Sequence, residues 1–139
     1  MDHALIDTDV ILDFFFDREP FAKFATNVLN LCEAKQMEGY ITPVIICNIY
    51  YLLRKTASHE LVTEKLKQLL SIVKVLNMDQ DTVYDALNSS FKDYEDALQN
   101  FSAIRSKKIN IILTRNIKDY RKSDLAVLTP ETYLKGKDF

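Results

Sequence analysis

The chain has 139 residues, 47% of them hydrophobic, which is enough for one buried core and within the usual size of one domain. Its formal charge of −2, from 18 basic and 20 acidic residues, excludes a global attraction to polyanions, so any nucleic-acid contact must come from a local patch. The only glycines, Gly39 and Gly136, exclude phosphate-cradling loops of the GxGxxG or GxxxxGK type, and with them P-loop hydrolysis and Rossmann redox chemistry.

Met1-Asp2-His3 passes directly into a short strand-like run, without the basic start and apolar stretch of a secretory signal. No apolar run approaches the roughly 18 residues of a membrane-spanning helix, so a soluble, cytoplasmic single domain over residues 1–139 is expected. Ala4-Leu5-Ile6 predicts a first strand, Asp7-Thr8-Asp9 a polar turn, and Val10, Ile11, Phe14 and Phe15 the apolar face of a helix. Asp17-Arg18-Glu19-Pro20 breaks that helix. Pro20 suits the start of a second one carrying Phe21, Phe24, Val28, Leu31 and Cys32 on one face, with Gly39 placed to end it.

Tyr40-Ile41-Thr42 predicts a second strand, and Pro43 opens an apolar helix through Ile46, Ile49, Tyr50 and Leu53 to Arg54 and Lys55, whose charges suit its C-terminal end. From Ser58 an amphipathic helix carries Leu61, Leu66, Leu69 and Leu70, and Val73-Lys74-Val75-Leu76 predicts a third strand. Asp79 and Asp81 are both candidate caps for the helix that follows. Asp93-Tyr94-Glu95-Asp96 opens another helix with Ala97, Leu98, Phe101 and Ile104 as its apolar stripe. Asn110 to Thr114 is the clearest strand, Leu125 to Leu128 gives a fifth, and Thr129-Pro130-Glu131 starts a last short helix. Cys32 and Cys47 fall in segments that read as buried helix, away from any His or Cys at metal-ligand spacing, so both are expected as reduced core thiols.

Strands alternating with helices predict a parallel sheet covered on both faces, whose ligands sit beyond the carboxyl ends of the strands. Asp7 and Asp9 follow the first strand, Asn116 and Asp119 the fourth, and Asp96 lies in the first turn of the helix leading into the fourth, with Asp93 one turn before it. Carboxylates gathered at one edge repel one another and call for a cation, and oxygen donors alone favour Mg²⁺ or Mn²⁺. Such an ion suits phosphodiester hydrolysis, where it can orient a water and stabilise charge on phosphate. Simpler roles stay open: Asp9 and Asp93 as helix caps, Asp119 as a solvated loop residue, and Glu95 as a solvent-facing one.

Leu5-Ile6-Asp7-Thr8-Asp9-Val10, Asp93-Tyr94-Glu95-Asp96-Ala97-Leu98-Gln99 and Ile112-Leu113-Thr114-Arg115-Asn116-Ile117-Lys118-Asp119-Tyr120 together resemble the PIN-domain family in order and spacing across nearly the whole chain. The resemblance implies a three-layer α/β/α sandwich with a central, mostly parallel five-stranded sheet. It also implies a divalent-metal ribonuclease, often the toxin of a toxin–antitoxin pair, with Asp7, Asp96 and Asp119 catalytic and Asp7, Asp96, Asn116 and Asp119 at the metal. Asp9, Asn48, Asp93 and Thr114 would support them. The sequence departs from the family's acidic pattern at two positions: Asn116 stands at the fourth acidic position, and Asn48 where the family usually has a Glu on the helix after the second strand.

Arg115 and Lys118 bracket the expected site and are candidates for RNA phosphates, and Arg54 with Tyr50 and Tyr51 offers a basic, aromatic surface. By the same resemblance, an RNA substrate, an antitoxin protein and a homodimer built on the helices around Phe14–Phe16 and Ile45–Leu53 are expected partners. Two alternatives stand beside this reading. One is a non-catalytic PIN-like module that binds RNA or protein through a degenerate acidic site. The other is a haloacid-dehalogenase-like phosphatase, suggested by Asp7-Thr8-Asp9-Val10 but lacking a glycine for its later acidic loop.

Overall fold

A computed structural model describes residues 1–137. The first half contains strand β1 (Asp2–Ile6), helices α1 (Thr8–Phe15) and α2 (Ala22–Glu33), strand β2 (Met37–Ile41), helices α3 (Pro43–Arg54) and α4 (His59–Leu70) and strand β3 (Val73–Val75). The second half contains helices α5 (Gln80–Leu87) and α6 (Tyr94–Ser106), strand β4 (Ile111–Leu113), a 3-10 turn (Ile117–Tyr120), strand β5 (Ala126–Leu128) and helix α7 (Pro130–Lys135). Helix starts are fixed by side-chain caps at Asp7, Thr42, Ser58, Asp79, Asp93 and Thr129, each accepting a backbone N–H of its own first turn. Of the two candidate caps before α5, Asp79 takes the role.

The five strands are parallel in the order β3-β2-β1-β4-β5, with Ile6 opposite Leu113 and Leu5 opposite Tyr40. With this strand order, the right-handed rule for parallel crossovers puts α1 to α4 on one face of the sheet and α5 with α6 on the other, in keeping with the α1–α2, α1–α3, α3–α4 and α5–α6 contacts, and α7 packs on α2. The result is the expected three-layer sandwich. Its central strands are buried on both faces: Ala4, Leu5, Ile6, Ile112 and Leu113 are inaccessible to solvent. Connections run outward from β1 to β2 and from β4 to β5, so strand order reverses between β1 and β4. Ligands of parallel sheets bind at the carboxyl side of that gap. Among the described residues no helix is long and apolar enough to cross a membrane.

Several sequence expectations are corrected by packing. Helix α2 buries Ala22, Ala25, Val28, Leu29 and Cys32, while Phe21 is exposed, because the small residues let neighbouring helices approach. Gly39 does not end α2; it lies in β2, where a Cβ would come within 2.7 Å of Cys32 Sγ and 3.0 Å of Ile6 Cδ1. Cys47 is exposed on α3, midway between Ile45 and Ile49 and so on the face opposite the buried Ile45–Ile49–Leu53 stripe, while Cys32 is the buried thiol expected. Leu61 and Leu70 face solvent, and Val62 joins Leu66 and Leu69 in the core. Helix α6 buries Gln99, Asn100 and Ser102 beside Ala97, Leu98 and Ala103. In α1 the buried set is Val10, Ile11, Leu12 and, against expectation, Asp13, while Phe14 is exposed.

Candidate active site

The strand-order reversal brings Asp7, at the end of β1, beside the loop that leaves β4. The Asp7 amide donates to the Leu113 carbonyl at 3.0 Å, extending the β1–β4 ladder by one rung. Its carboxylate is nearly buried: Oδ1 accepts from the Thr8 amide at 2.9 Å and Oδ2 from the Thr114 hydroxyl at 2.9 Å. Thr114 Oγ1 in turn accepts from the Asn116 amide at 3.0 Å, so this fully buried threonine ties the β4 loop to Asp7. Asp9 lies two positions past the cap, so Asp7 and not Asp9 caps α1. Oδ2 of Asp9 accepts from the Arg115 amide at 3.0 Å, and its Oδ1 is buried with no partner among the described residues.

Asp96 enters from α6. Asp93 caps that helix through the Asp96 amide at 3.0 Å, as the cap reading expected, and also lines the cleft. The cleft, about 610 Å³, is lined by Asp7, Asp9, Asp93, Asp96, Asn116 and Asp119. Asn48 borders it from α3 and donates through Nδ2 to Glu95 Oε2 at 3.1 Å. Glu95, expected to face solvent alone, is therefore a cleft residue. Only contact between α3 and α6 reveals it.

These acids perturb one another. Burial, and then the charges of Asp93, Asp7 and Asp119, push Asp96 up to about 7. Burial and the Asp7 charge push Asp9 up to about 6, against the opposing hydrogen bond from the Arg115 amide. Burial also raises Asp7, offset in part by its hydrogen bonds. Tyr120 completes the picture: its buried hydroxyl lies beside Asp7 and Asp96, with no partner at full hydrogen-bond geometry among the described residues, and burial together with those charges drives its pKa far upward. Its one sequence signal is being an aromatic directly after Asp119 in a polar stretch.

The three cations expected at RNA, Arg115, Lys118 and Arg54, are not among the residues lining the cleft. Arg115 turns from the cleft and forms a two-pronged ion pair with Asp13, at 2.7 and 3.0 Å, while its guanidinium stacks 4.0 Å above the Phe21 ring. Asp13 is buried and requires that partner, so Arg115 is held by the fold. Arg54 Nη1 donates to the Ala57 carbonyl at 2.9 Å and closes the end of α3. Lys118 is exposed on the 3-10 turn, outside the cleft lining. Instead Arg18, Lys55 and the exposed Tyr51 border the acids.

The donor set is oxygen only, as a hard divalent cation requires, and an Asp9 oxygen and the Tyr120 hydroxyl, buried beside these acids, have no hydrogen-bond partner among the described residues. Among the described residues, however, no three His, Cys, Asp or Glu side chains are gathered closely enough to enclose one ion. What the residues share is uncompensated negative charge.

The family model described as PIN domain matches residues 3–118, and the chain belongs to that family. The match sets aside the phosphatase alternative. The chain is 25% identical over 135 residues to Ribonuclease VapC1 of Aquifex aeolicus (strain VF5), covering 94% of this chain and 92% of that protein. A toxin-antitoxin complex from Klebsiella pneumoniae contains a chain with the same fold, at a TM-score of 0.69 and 24% identity, covering 91% of this chain and 97% of that one. FitAcB from Neisseria gonorrhoeae shares it as well, at a TM-score of 0.69 and 16% identity, covering 92% and 98%.

Proposed function

We propose that the chain is a ribonuclease that hydrolyses RNA phosphodiester bonds in the cytoplasm with the help of Mg²⁺ or Mn²⁺, acting as one domain. The observation that carries this reading is Asp7, a nearly buried carboxylate at the strand-order reversal with no cationic side chain to balance it, facing Asp96 and Asp119. Burying such a group unpaired is costly, and a fold that retains it gains most when a cation completes it. Asp7, Asp96, Asn116 and Asp119 would hold the ion, whose chemistry is to polarise a phosphate oxygen and lower the pKa of water. The protein's own work is positional. Thr114 and the Thr8 amide fix the Asp7 carboxylate, the Arg115 amide fixes Asp9, and Asp93 fixes the start of α6 beneath Asp96. Arg18 and Lys55 at the rim, with Lys118 outside it, are suited to the flanking phosphates.

The names of the similar proteins support a further reading: this chain as the toxin of a toxin–antitoxin pair, inhibited by a separate antitoxin protein. A homodimer through α1 and α3 remains part of the proposal; Phe14 and Tyr51 are their exposed aromatics. A second function is favoured by one specific observation. Asn48 and Asn116 replace two expected acids and, among the described residues, no tight three-acid set is formed, which suits a module that binds RNA or protein without cleaving it.

Incubating the chain with single-stranded and structured RNAs in Mg²⁺ or Mn²⁺, beside an EDTA control, separates the two. Metal-dependent fragments establish the ribonuclease. RNA retention on a filter with no fragments over the whole panel establishes the binding module.

A further inference from the structure

Asn48 stands where an acid was expected on α3, yet it is not idle: its amide reaches across the cleft and holds Glu95. Asp96 and Glu95 are successive residues of α6, about 100° apart around the helix, so they serve different directions. Asp96 faces Asp7 and the sheet, whereas Glu95 reaches toward α3. An amide donor orients a carboxylate without neutralising it, and among the described residues Glu95 has no basic partner within ion-pair distance. We propose that Glu95 supplies the negative charge that α3 lacks, with Asn48 as the residue that holds it over the cleft.

A second feature, outside the Asn48–Glu95 pair, says that the cleft is arranged around a ligand. The buried Tyr120 hydroxyl, 1% of whose residue surface is accessible, lies beside Asp7 and Asp96 and has no partner at full hydrogen-bond geometry among the described residues. No three of the acids enclose an ion on their own, so the role assigned to Glu95 is charge and orientation across the cleft. It is a positioning residue. This inference rests on the cation-dependent ribonuclease reading.

The test measures Mn²⁺ affinity of the full chain without RNA, by the electron paramagnetic resonance signal of free Mn²⁺. Glu95→Gln should weaken Mn²⁺ binding about tenfold, and moving the charge back in the Asn48→Glu, Glu95→Gln double variant should restore it to within about threefold of the parent. Glu95→Lys should weaken it further. Circular dichroism reports folding of each variant, which the exposed position of Glu95 favours. Unchanged affinity in both Glu95 variants, while Asp7→Asn loses Mn²⁺, overturns the role of Glu95 and leaves the ribonuclease reading standing. No Mn²⁺ uptake by the parent chain overturns both.

Discussion

Asp7 and Asp13 lie six residues apart, both are nearly buried, and they are treated in opposite ways. Asp13 is closed off: Arg115 grips both of its oxygens, Arg18 Nη1 lies 3.7 Å from one of them, and the ring of Phe21 covers the guanidinium. Asp7 receives only neutral donors, Thr8 and Thr114, and faces the acids Asp96 and Asp119 and an unpartnered tyrosine hydroxyl. A buried charge balanced by a cation is part of the scaffold, whereas one left unbalanced among like charges marks the place where a ligand completes the structure. Asp7 caps α1 and Asp13 lies within it, so a single helix presents both cases.

The largest effect is expected from breaking the balanced pair. Asp13→Asn leaves the Arg115 guanidinium without its anion in a partly buried site, and should lower unfolding free energy by about 3 kcal/mol in urea titrations. Asp7→Asn should do the reverse. It removes an unbalanced charge, and the metal-free chain should gain about 1 kcal/mol while losing RNA cleavage. If Asp7→Asn destabilises as much as Asp13→Asn, the two sites are not different in kind.

The pH dependence of stability sharpens the same contrast. Asp9 and Asp96, at about 6 and about 7, stand above the ordinary carboxylate value of 3.8, so the folded metal-free chain binds more protons than the unfolded chain between about pH 4 and pH 7. Their stabilising contribution is full below the unfolded value and is lost as pH rises through the folded values. Thermal melts in EDTA should therefore show stability falling from pH 5 to pH 8, and Asp96→Asn should flatten the slope. Asp2, held below the usual range chiefly by the Lys137 side chain, acts in the opposite sense but at lower pH. The smallest effect is expected from Tyr120→Phe. Deleting a buried hydroxyl that has no partner should be neutral or stabilise by less than about 1 kcal/mol, again read by denaturant titration.

Much of this was legible in the sequence for identifiable reasons. Each strand is a short apolar run and most helix starts carry a capping side chain, so element order, sheet direction and the common edge of Asp7, Asp96, Asn116 and Asp119 followed from local signals. The remainder depends on contacts between distant segments. Asp13 and Arg115 are 102 positions apart, and Asn48 and Glu95 are 47 apart. Nothing local distinguishes an arginine free to touch phosphate from one committed to a buried acid. The apolar run around Asp13 was the available clue, since an acid within it demands a partner. Gly39 misled for a related reason: a glycine after a helix reads as its end, while here it makes room for the Cys32 sulfur beneath the sheet.

The most direct measurement is RNA cleavage in Mn²⁺ by the parent chain, Asp7→Asn and Asp13→Asn side by side, at a temperature where all three are folded. The account predicts cleavage by the parent and by the less stable Asp13→Asn, and none by the more stable Asp7→Asn. Cleavage that survives in Asp7→Asn, or that tracks stability across the three proteins, would contradict it.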